Sequence, residues 1–254
     1  MQHFGIIGKP LGHSMSKEYF EKRFAAEGVQ ADYTVHELDA VEDVVPLLDR
    51  LDGLNVTSPY KEAIIPYLDK IDETAREIGG VNVVYKRCGY NTDWIGAYQT
   101  MQNAKCKMNQ NAKCKMQNDW TAALVLGTGG AARAVKFALE KLGMNVQVVS
   151  RNKSKGDLTY EELTEEVMKK CKVIANCTPL GMKPHEDEKP DIPYEWITKD
   201  HVLFDCIYNP KKTKFLEEGE KRGAQTVNGA EIVNGAEMFM AQAKEAWKKF
   251  RVES

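Results

Sequence analysis

The stretch that most constrains the fold is a glycine-rich turn between an apolar strand and a helix. Residues 122–126 form an apolar run typical of a buried strand, and residues 131–142 have the pattern of a helix. At their junction, Gly127, Gly129 and Ala132 fit the dinucleotide-binding pattern G-x-G-x-x-G/A, with alanine in the last place. The backbone and the free N–H groups of such a helix N-terminus can bind a pyrophosphate. The alternative is an ordinary glycine-rich turn.

The end of the next predicted strand, 145–150, indicates which dinucleotide would bind. This strand follows the helix, so the order is βαβ, as the pattern requires. NAD sites usually have Asp or Glu at this strand end, where the acid binds the ribose 2′-hydroxyl. Here Ser150 is followed by Arg151, with further lysines at 153 and 155. Because arginine can bind a 2′-phosphate with two parallel hydrogen bonds, the sequence predicts NADP, with a solvated basic loop as the alternative.

Composition excludes several other classes of function. The 254 residues are 43% hydrophobic, which is enough for one large or two modest α/β cores. The net charge of -2 argues against nucleic acid or an anionic membrane surface as a partner. No apolar run has membrane-spanning length, and we expect no signal peptide. The six cysteines lack metal-binding spacing, so we expect reduced thiols, no bound metal and a cytoplasmic location.

Strand and helix patterns alternate along the rest of the chain, which predicts an α/β fold. We expect further strands at 4–8, 33–37, 53–57, 79–85, 173–178 and 202–208. We expect further helices at 17–27, 41–51, 64–78 (with or without a break at Pro66), 94–116, 158–170, 213–222 and 236–250. In open α/β sheets, ligands bind beyond the carboxyl ends of the strands, so polar residues at those ends are candidates for a site.

Three such candidates lie at the end of the predicted strand 53–57. They are Asn55, Thr57 and Lys61. A lysine near the start of a helix is disfavoured by the helix dipole, which weakens the view of Lys61 as a mere surface residue.

Other polar candidates have a structural alternative as well as a functional one. Ser14 and Ser16 are able to donate to a substrate carboxylate, but turn and helix-cap chemistry would also explain them. Asn82 lies within an apolar run, so it must either satisfy backbone groups or face a polar ligand. Asp93 either caps the following helix or belongs to the site.

The chain contains two short repeats. Residues 102–108 recur almost unchanged at 110–116, and residues 227–231 recur at 233–237. A shift of eight residues is roughly 80° of rotation on a helix, so the first two copies cannot present one common face. We interpret both repeats as local duplications, the first of which lengthens a linker.

Taken together, these motifs resemble those of the shikimate dehydrogenase family. The N-terminal half carries Gly8-Lys9-Pro10, Ser14-Met15-Ser16, Asn55-Val56-Thr57-Ser58-Pro59-Tyr60-Lys61 and Asn91-Thr92-Asp93. The C-terminal half carries Gly127-Thr128-Gly129-Gly130-Ala131-Ala132, Asn176-Cys177-Thr178-Pro179-Leu180-Gly181-Met182, Asp205 with Tyr208, and Met238 with Gln242. The resemblance covers nearly the whole chain, and the motifs occur in the family's order.

The resemblance implies a two-domain α/β protein with a cleft between the domains. The N-terminal substrate domain would comprise 1–98 and 236–254, and the C-terminal Rossmann-like NADP-binding domain would comprise 99–235. The implied catalytic pair is Lys61 and Asp93. The implied substrate-binding residues are Ser14, Ser16, Asn55, Thr57, Asn82, Tyr208 and Gln242. The implied cofactor-binding residues are Gly127, Thr128, Gly129, Gly130, Ala131, Ser150, Arg151, Thr178, Met182 and Gly235.

The implied activity is the reversible, NADPH-dependent reduction of 3-dehydroshikimate to shikimate in chorismate biosynthesis, by a monomer or homodimer. Reducing the ketone needs a hydride on carbon and a proton on oxygen. A lysine beside the carbonyl can stabilise the developing alkoxide and supply the proton. A neighbouring carboxylate can hold a substrate hydroxyl and orient the lysine. Whether Lys61 or Asp93 is the formal acid stays open.

The chain departs from the family pattern at several places. Lys17 stands where many relatives have proline, and Ser150-Arg151-Asn152 replaces the usual Asn-Arg-Thr. The second repeat leaves Gly229 or Gly235 as the family's glycine before the last helix. We favour Gly235, because it lies seven residues before Gln242 and so shares a helical face with it.

Two other functions stay open. One is a quinate/shikimate dehydrogenase that prefers NAD, against which Arg151 and the serine pair Ser14 and Ser16 argue. The other is a non-catalytic relative that senses shikimate or a nucleotide. The presence of both Lys61 and Asp93 argues against such a sensor, which would not need a catalytic pair.

Overall fold

The protein consists of two compact units, and both combine strands with helices, as the predicted α/β class requires. The computed structural model describes residues 1–12, 15–110, 120–224 and 235–251, with side-chain positions for all of these except 107–110 and 235–240. The first unit comprises Met1–Thr92 and Gln242–Ser254, and the second comprises Asp93–Ala241. Within the described ranges, no helix is both long and apolar enough to span a membrane.

The first unit is built on a six-stranded sheet. Its strands are β1 Gln2–Gly8, β2 Ala31–Glu37, β3 Gly53–Val56, β4 Lys70–Ile71, β5 Val83–Tyr85 and β6 Cys88–Tyr90. Its helices are α1 Met15–Glu27, α2 Val45–Arg50, α3 Tyr60–Ala63 and α4 Glu73–Ile78, joined by the C-terminal helix from Gln242 onward. The strand order is β2-β1-β3-β5-β6-β4. β1 runs parallel to β2 and β3, whereas β5 is antiparallel to β3 and β6.

Two predictions for this unit were wrong in part. The helix expected at 64–78 does break at Pro66, as the sequence allowed, but the break is longer than one residue: a 3-10 turn occupies Ile65–Tyr67, and the segment is α-helical only in α4. The strand expected at 79–85 begins only at Val83, and it forms a hairpin with β6, a strand that was not predicted. Lys86 and Arg87 form the two-residue hairpin turn with φ of 47° and 57°, a conformation normally signalled by Asn or Gly.

An aromatic core fixes the C-terminal helix to the first unit. This helix, α9, spans Gly235–Phe250, close to its predicted bounds. Trp247 and Phe250 are buried against Phe4, whose ring centroid lies 6.0 Å and 4.9 Å from theirs. The Glu27 carboxylate on α1 accepts hydrogen bonds from Trp247 Nε1 at 3.1 Å and from Arg251. These contacts set the position of Gln242 on the same helix.

The second unit is a four-stranded parallel sheet flanked by helices. Its strands are β7 Ala122–Leu126, β8 Asn145–Val149, β9 Val173–Asn176 and β10 Val202–Asp205. Its helices are α5 Asp93–Gln110, α6 Gly130–Lys141, α7 Glu165–Lys170 and α8 Lys214–Lys221. The order β10-β9-β7-β8, with every pair parallel, confirms the predicted βαβ arrangement around the glycine turn.

The helix predicted at 158–170 was wrong in its first half. A 3-10 turn occupies Tyr160–Glu162, and α7 begins only at Glu165. Thr164 ends the first segment and caps α7, because its hydroxyl accepts a hydrogen bond from Val167 N at 3.4 Å.

The duplications are described only in part. The first copy of the longer repeat lies on α5, where Ala104 is buried. The second copy of the longer repeat lies outside the described residues beyond Gln110, together with the rest of the predicted helix 94–116. Residues 227–234 of the shorter repeat also lie outside them.

Candidate functional site

The carboxyl end of β3 carries three of the predicted site residues. Asn55 is buried on the strand, and Thr57 follows it with its N–H donating to Ile7 O at 2.9 Å. The chain then turns into the one-turn helix α3, which holds the half-buried Lys61. The carbonyl of Lys61 accepts from Val81 N at 2.7 Å, so the backbone of the lysine is tied to the segment that precedes β5.

A buried network joins Asn82, Thr92 and Gln242. Thr92 N donates to Asn82 Oδ1 at 2.7 Å, and Asn82 Nδ2 donates to Thr92 Oγ1 at 3.0 Å. Gln242 Oε1 accepts from Asn82 Nδ2 at 3.2 Å and from Thr92 Oγ1 at 3.4 Å. Thr92, which the sequence analysis names only as part of a family motif, is fully buried between two predicted substrate-binding amides. It also immediately precedes Asp93, the first residue of α5.

A second buried network joins Ser16 and Asn55 through Tyr33, which the sequence analysis did not single out. Tyr33 Oη donates to Asn55 Oδ1 at 2.7 Å. A further hydrogen bond links Tyr33 to Ser16, and burial raises the pKa of the phenol well above its usual value. Because α1 begins at Met15, Ser16 lies inside the helix and does not cap it.

The structure thus groups most of the predicted substrate-binding residues in the first unit. Ser16, Asn55, Thr57, Asn82 and Gln242 all belong to it, together with Lys61. The predicted Ser14 lies outside the described residues. Asp93 and Tyr208 belong to the second unit, where Asp93 is buried and burial raises the pKa of Tyr208.

The glycine turn of the second unit has the backbone that a dinucleotide site needs. Gly127 has φ of 109°, and its N–H donates to Val149 O at 2.9 Å. A Cβ at this position would lie 3.1 Å from Cys177 O. Gly129 and Thr128 are exposed, and a Cβ on Gly129 would meet nothing within 4 Å. The N-cap residue of α6 is Gly129, which has no side chain to cap the helix, so the N-terminal N–H groups at Gly130 and Ala131 can bind an anion.

We expect alanine to have different effects at these two glycines. Gly127→Ala forces a side chain into a left-handed conformation against a carbonyl, so we expect a loss of at least ~1 kcal/mol of stability. Gly129→Ala has space in the protein, so the Tm should stay unchanged while the KM for NADPH rises severalfold. Thermal unfolding and steady-state kinetics of both variants test this. Equal Tm values, or an unchanged KM for Gly129→Ala, would contradict the role assigned to each glycine.

The loop after β8 presents one arginine to solvent. Ser150 is buried, and its Oγ accepts from Asn152 N at 3.1 Å. Arg151 is exposed and has no hydrogen bond or ion pair with the described part of the chain. Lys153 is instead held by Glu162 at 2.6 Å, so it contributes less free positive charge than the sequence suggested. An exposed guanidinium where NAD enzymes have an acid fits a 2′-phosphate.

The loop after β9 is organised by a buried carboxylate. Asn176 Oδ1 accepts from Thr178 Oγ1 at 2.7 Å, and Asn176 Nδ2 donates to both Asp205 carboxylate oxygens at 3.2 Å. Asp205 also accepts from Thr213 Oγ1 at 2.6 Å. Burial raises the pKa of Asp205 to about 7, although these donors act in the opposite direction. The network holds the predicted cofactor contact Thr178 in place.

The two remaining predicted cofactor contacts occupy a loop and a helix end. Met182 lies in the loop after β9 and is 46% exposed. Gly235 is the first residue of α9. Among the described residues, no group of three or more potential metal ligands occurs.

The second unit has a parallel βαβ arrangement with a glycine turn and an exposed arginine after β8, and the first unit has clustered polar residues. These features are typical of an NADP-type α/β oxidoreductase. The family described as the shikimate dehydrogenase substrate binding domain matches residues 6–84. The NADP(+)-dependent shikimate dehydrogenase of Aquifex aeolicus is 37% identical over 97% of this chain and 90% of its own length. The chain belongs to the shikimate dehydrogenase family.

Solved structures of this family share the fold. The Thermus thermophilus shikimate 5-dehydrogenase in complex with NADP(H) and shikimate has a TM-score of 0.80 at 25% identity, covering 98% of this chain and 93% of that one. The Corynebacterium glutamicum quinate dehydrogenase in complex with NAD has a TM-score of 0.82 at 26% identity, covering 98% and 93%. Overall backbone similarity therefore does not separate shikimate from quinate enzymes.

Proposed function

We propose that this protein catalyses the reversible, NADPH-dependent reduction of 3-dehydroshikimate to shikimate, a step of chorismate biosynthesis. The observation that carries the proposal is the nearly full-length match to an NADP(+)-dependent shikimate dehydrogenase. The exposed Arg151 after β8 supports NADP as the cofactor. The proposed functional domains are 1–98 with 236–254 for substrate, and 99–235 for cofactor.

In the proposed mechanism, the substrate domain fixes the orientation of the ring. Ser14 and Ser16 donate to the carboxylate, for which the Ser16 hydroxyl turns its proton away from Tyr33 Oη. The amides of Asn55, Asn82 and Gln242 hold hydroxyl and carboxylate oxygens. Thr57 and Tyr208 complete this set. Fixing both ends of a small rigid molecule determines which carbon faces the nicotinamide, and this contributes to the rate by proximity.

The proposed chemical step uses Lys61 and Asp93. Lys61 stabilises the charge that develops on the carbonyl oxygen, and the pair delivers a proton to that oxygen. NADPH supplies the hydride when bound. Gly127, Gly129, Gly130 and Ala131 would hold its pyrophosphate through backbone N–H groups.

The remaining proposed cofactor contacts have separate tasks. Ser150 and Arg151 would hold the 2′-phosphate, and Thr128, Thr178, Met182 and Gly235 would line the rest of the dinucleotide. We further propose that the protein acts in the cytoplasm as a monomer or homodimer, since its thiols need a reducing compartment to stay unpaired.

Initial rates with four cofactor and substrate pairs test the proposed function. NADP+ and NAD+ are each offered with shikimate and with quinate, and absorbance at the nicotinamide band is followed. We expect the highest kcat/KM with NADP+ and shikimate. A preference for NAD+ and quinate would favour the alternative that resembles the Corynebacterium enzyme, and no reaction with any pair would indicate a non-catalytic binding protein.

A further inference from the structure

A buried phenol connects two residues of the proposed substrate site. Tyr33 is 2% exposed, and its Oη donates to Asn55 Oδ1 at 2.7 Å while it also forms a hydrogen bond with Ser16. Both partners are proposed to bind substrate oxygens. Tyr33 itself lies on β2, separated from β3 by the intervening strand β1. The Tyr33 hydroxyl therefore reaches Asn55 across β1, within the core of the first unit.

The Tyr33 hydroxyl determines which atom of the Asn55 amide, the oxygen or the nitrogen, is left for the substrate. An asparagine side chain has an acceptor oxygen and a donor nitrogen of nearly equal size, and hydrogen-bond partners choose between its two orientations. Burial raises the pKa of Tyr33, so the phenol keeps its proton and remains a donor. A donor at 2.7 Å binds the Asn55 oxygen, which directs the Nδ2 protons away from Tyr33.

The ring of Tyr33 is held by packing that does not depend on the site. Phe20 stacks on it with centroids 4.9 Å apart and an interplanar angle of 7°. In the sheet, Tyr33 on β2 lies opposite Phe4 on β1, and Phe4 lies opposite Gly53 on β3. Asn55 is two residues beyond Gly53 and so on the same face. A hydroxyl placed by a rigid aromatic core can preorganise the groups that it contacts.

We propose that Tyr33 is a positioning residue of the substrate site, which fixes the Asn55 amide with its nitrogen toward the substrate. The inference rests on the proposed function, because it concerns a residue that would bind shikimate. Tyr33 acts through Asn55 and is not itself assigned a contact with the substrate.

Tyr33→Phe tests the proposal, because it removes the hydroxyl and keeps the ring. We expect the KM for shikimate to rise about fivefold, which corresponds to ~1 kcal/mol, with kcat changed by less than about twofold. Tyr194→Phe is the matched control, since Tyr194 is also buried and donates to a carbonyl, Pro190 O, at 2.9 Å in the other unit. It should lower the Tm to a similar extent without changing either kinetic constant.

A double-mutant cycle separates positioning from a general loss of stability. In an Asn55→Ala background, Tyr33→Phe should cause little further rise in KM, because the amide that it orients is gone. The same fivefold rise in both backgrounds, or an unchanged KM in Tyr33→Phe alone, would overturn the proposal.

A second variant covers the case in which Tyr33→Phe does not fold. Asn55→Asp keeps an oxygen for Tyr33 but offers the substrate no N–H, so we expect the KM for shikimate to rise more than about tenfold with the fold intact. An unchanged KM would show that the amide nitrogen is not used. Failure of the proposed function looks different, because the unmodified protein would then show no turnover of shikimate.

Discussion

Replacing Lys61 by alanine is expected to lower kcat by about 10³-fold while the KM for shikimate stays within about tenfold. The lysine lies on the turn of α3 that follows the carboxyl end of β3, and its backbone is fixed by Val81. An amine that acts mainly on the developing alkoxide stabilises the transition state more than the bound substrate. The loss should therefore occur in kcat, and steady-state kinetics with NADP+ and shikimate measure it.

Lys22→Ala is the control for this experiment. Lys22 is an α1 lysine whose side chain is 76% exposed and paired with Glu18, so its removal should leave both kinetic constants unchanged. Near-normal turnover of Lys61→Ala would exclude Lys61 from the mechanism. A loss that appears only in KM would instead make it a binding residue.

Replacing Arg151 by alanine should raise the KM for NADPH far more than that for NADH. Only NADPH carries the 2′-phosphate, and a charged hydrogen bond of this kind contributes ~1.5–3 kcal/mol, or roughly 10- to 150-fold. Arg151 makes no hydrogen bond or ion pair with the described residues, so its loss should not change the Tm. Kinetics with each cofactor, together with thermal unfolding, provide the measurement.

The matched control for Arg151 is Lys169→Ala. Lys169 is a 68% exposed cation in the same unit, paired with Glu165 on α7, and it should affect both cofactors equally little. An equal rise in KM for NADPH and NADH on replacing Arg151 would mean that the arginine supports the loop and does not recognise the phosphate.

The parts of the fold that the sequence predicted are those with local signals. The β7–α6–β8 unit follows from an apolar run, three small residues at fixed spacing and a second apolar run, and each signal lies within a few residues of the element that it specifies. The β5–β6 hairpin was missed for the opposite reason. Lys86 and Arg87 adopt positive φ because the strands on both sides pair, and neither residue type signals such a turn.

The candidate site could be predicted from the sequence only where its residues belong to recognisable motifs. Asn55 and Lys61 lie near the end of a predicted strand, and Asn82 interrupts an apolar run. The sequence alone therefore indicates all three as candidates. Tyr33 is an aromatic residue in a predicted strand, where core packing is the usual role, and its contact with Asn55 joins positions 22 residues apart. A hydrogen bond between non-adjacent strands depends on sheet order, which local patterns do not reveal.

The transfer of deuterium from cofactor to substrate tests the central claim most directly. NADPH with deuterium at both C4 positions of the nicotinamide is incubated with 3-dehydroshikimate and the protein, and the product is analysed by NMR and mass spectrometry. The account predicts shikimate with one deuterium on the carbon that was the carbonyl, and stoichiometric oxidation of NADPH. Recovery of unchanged 3-dehydroshikimate and NADPH from folded protein would contradict it.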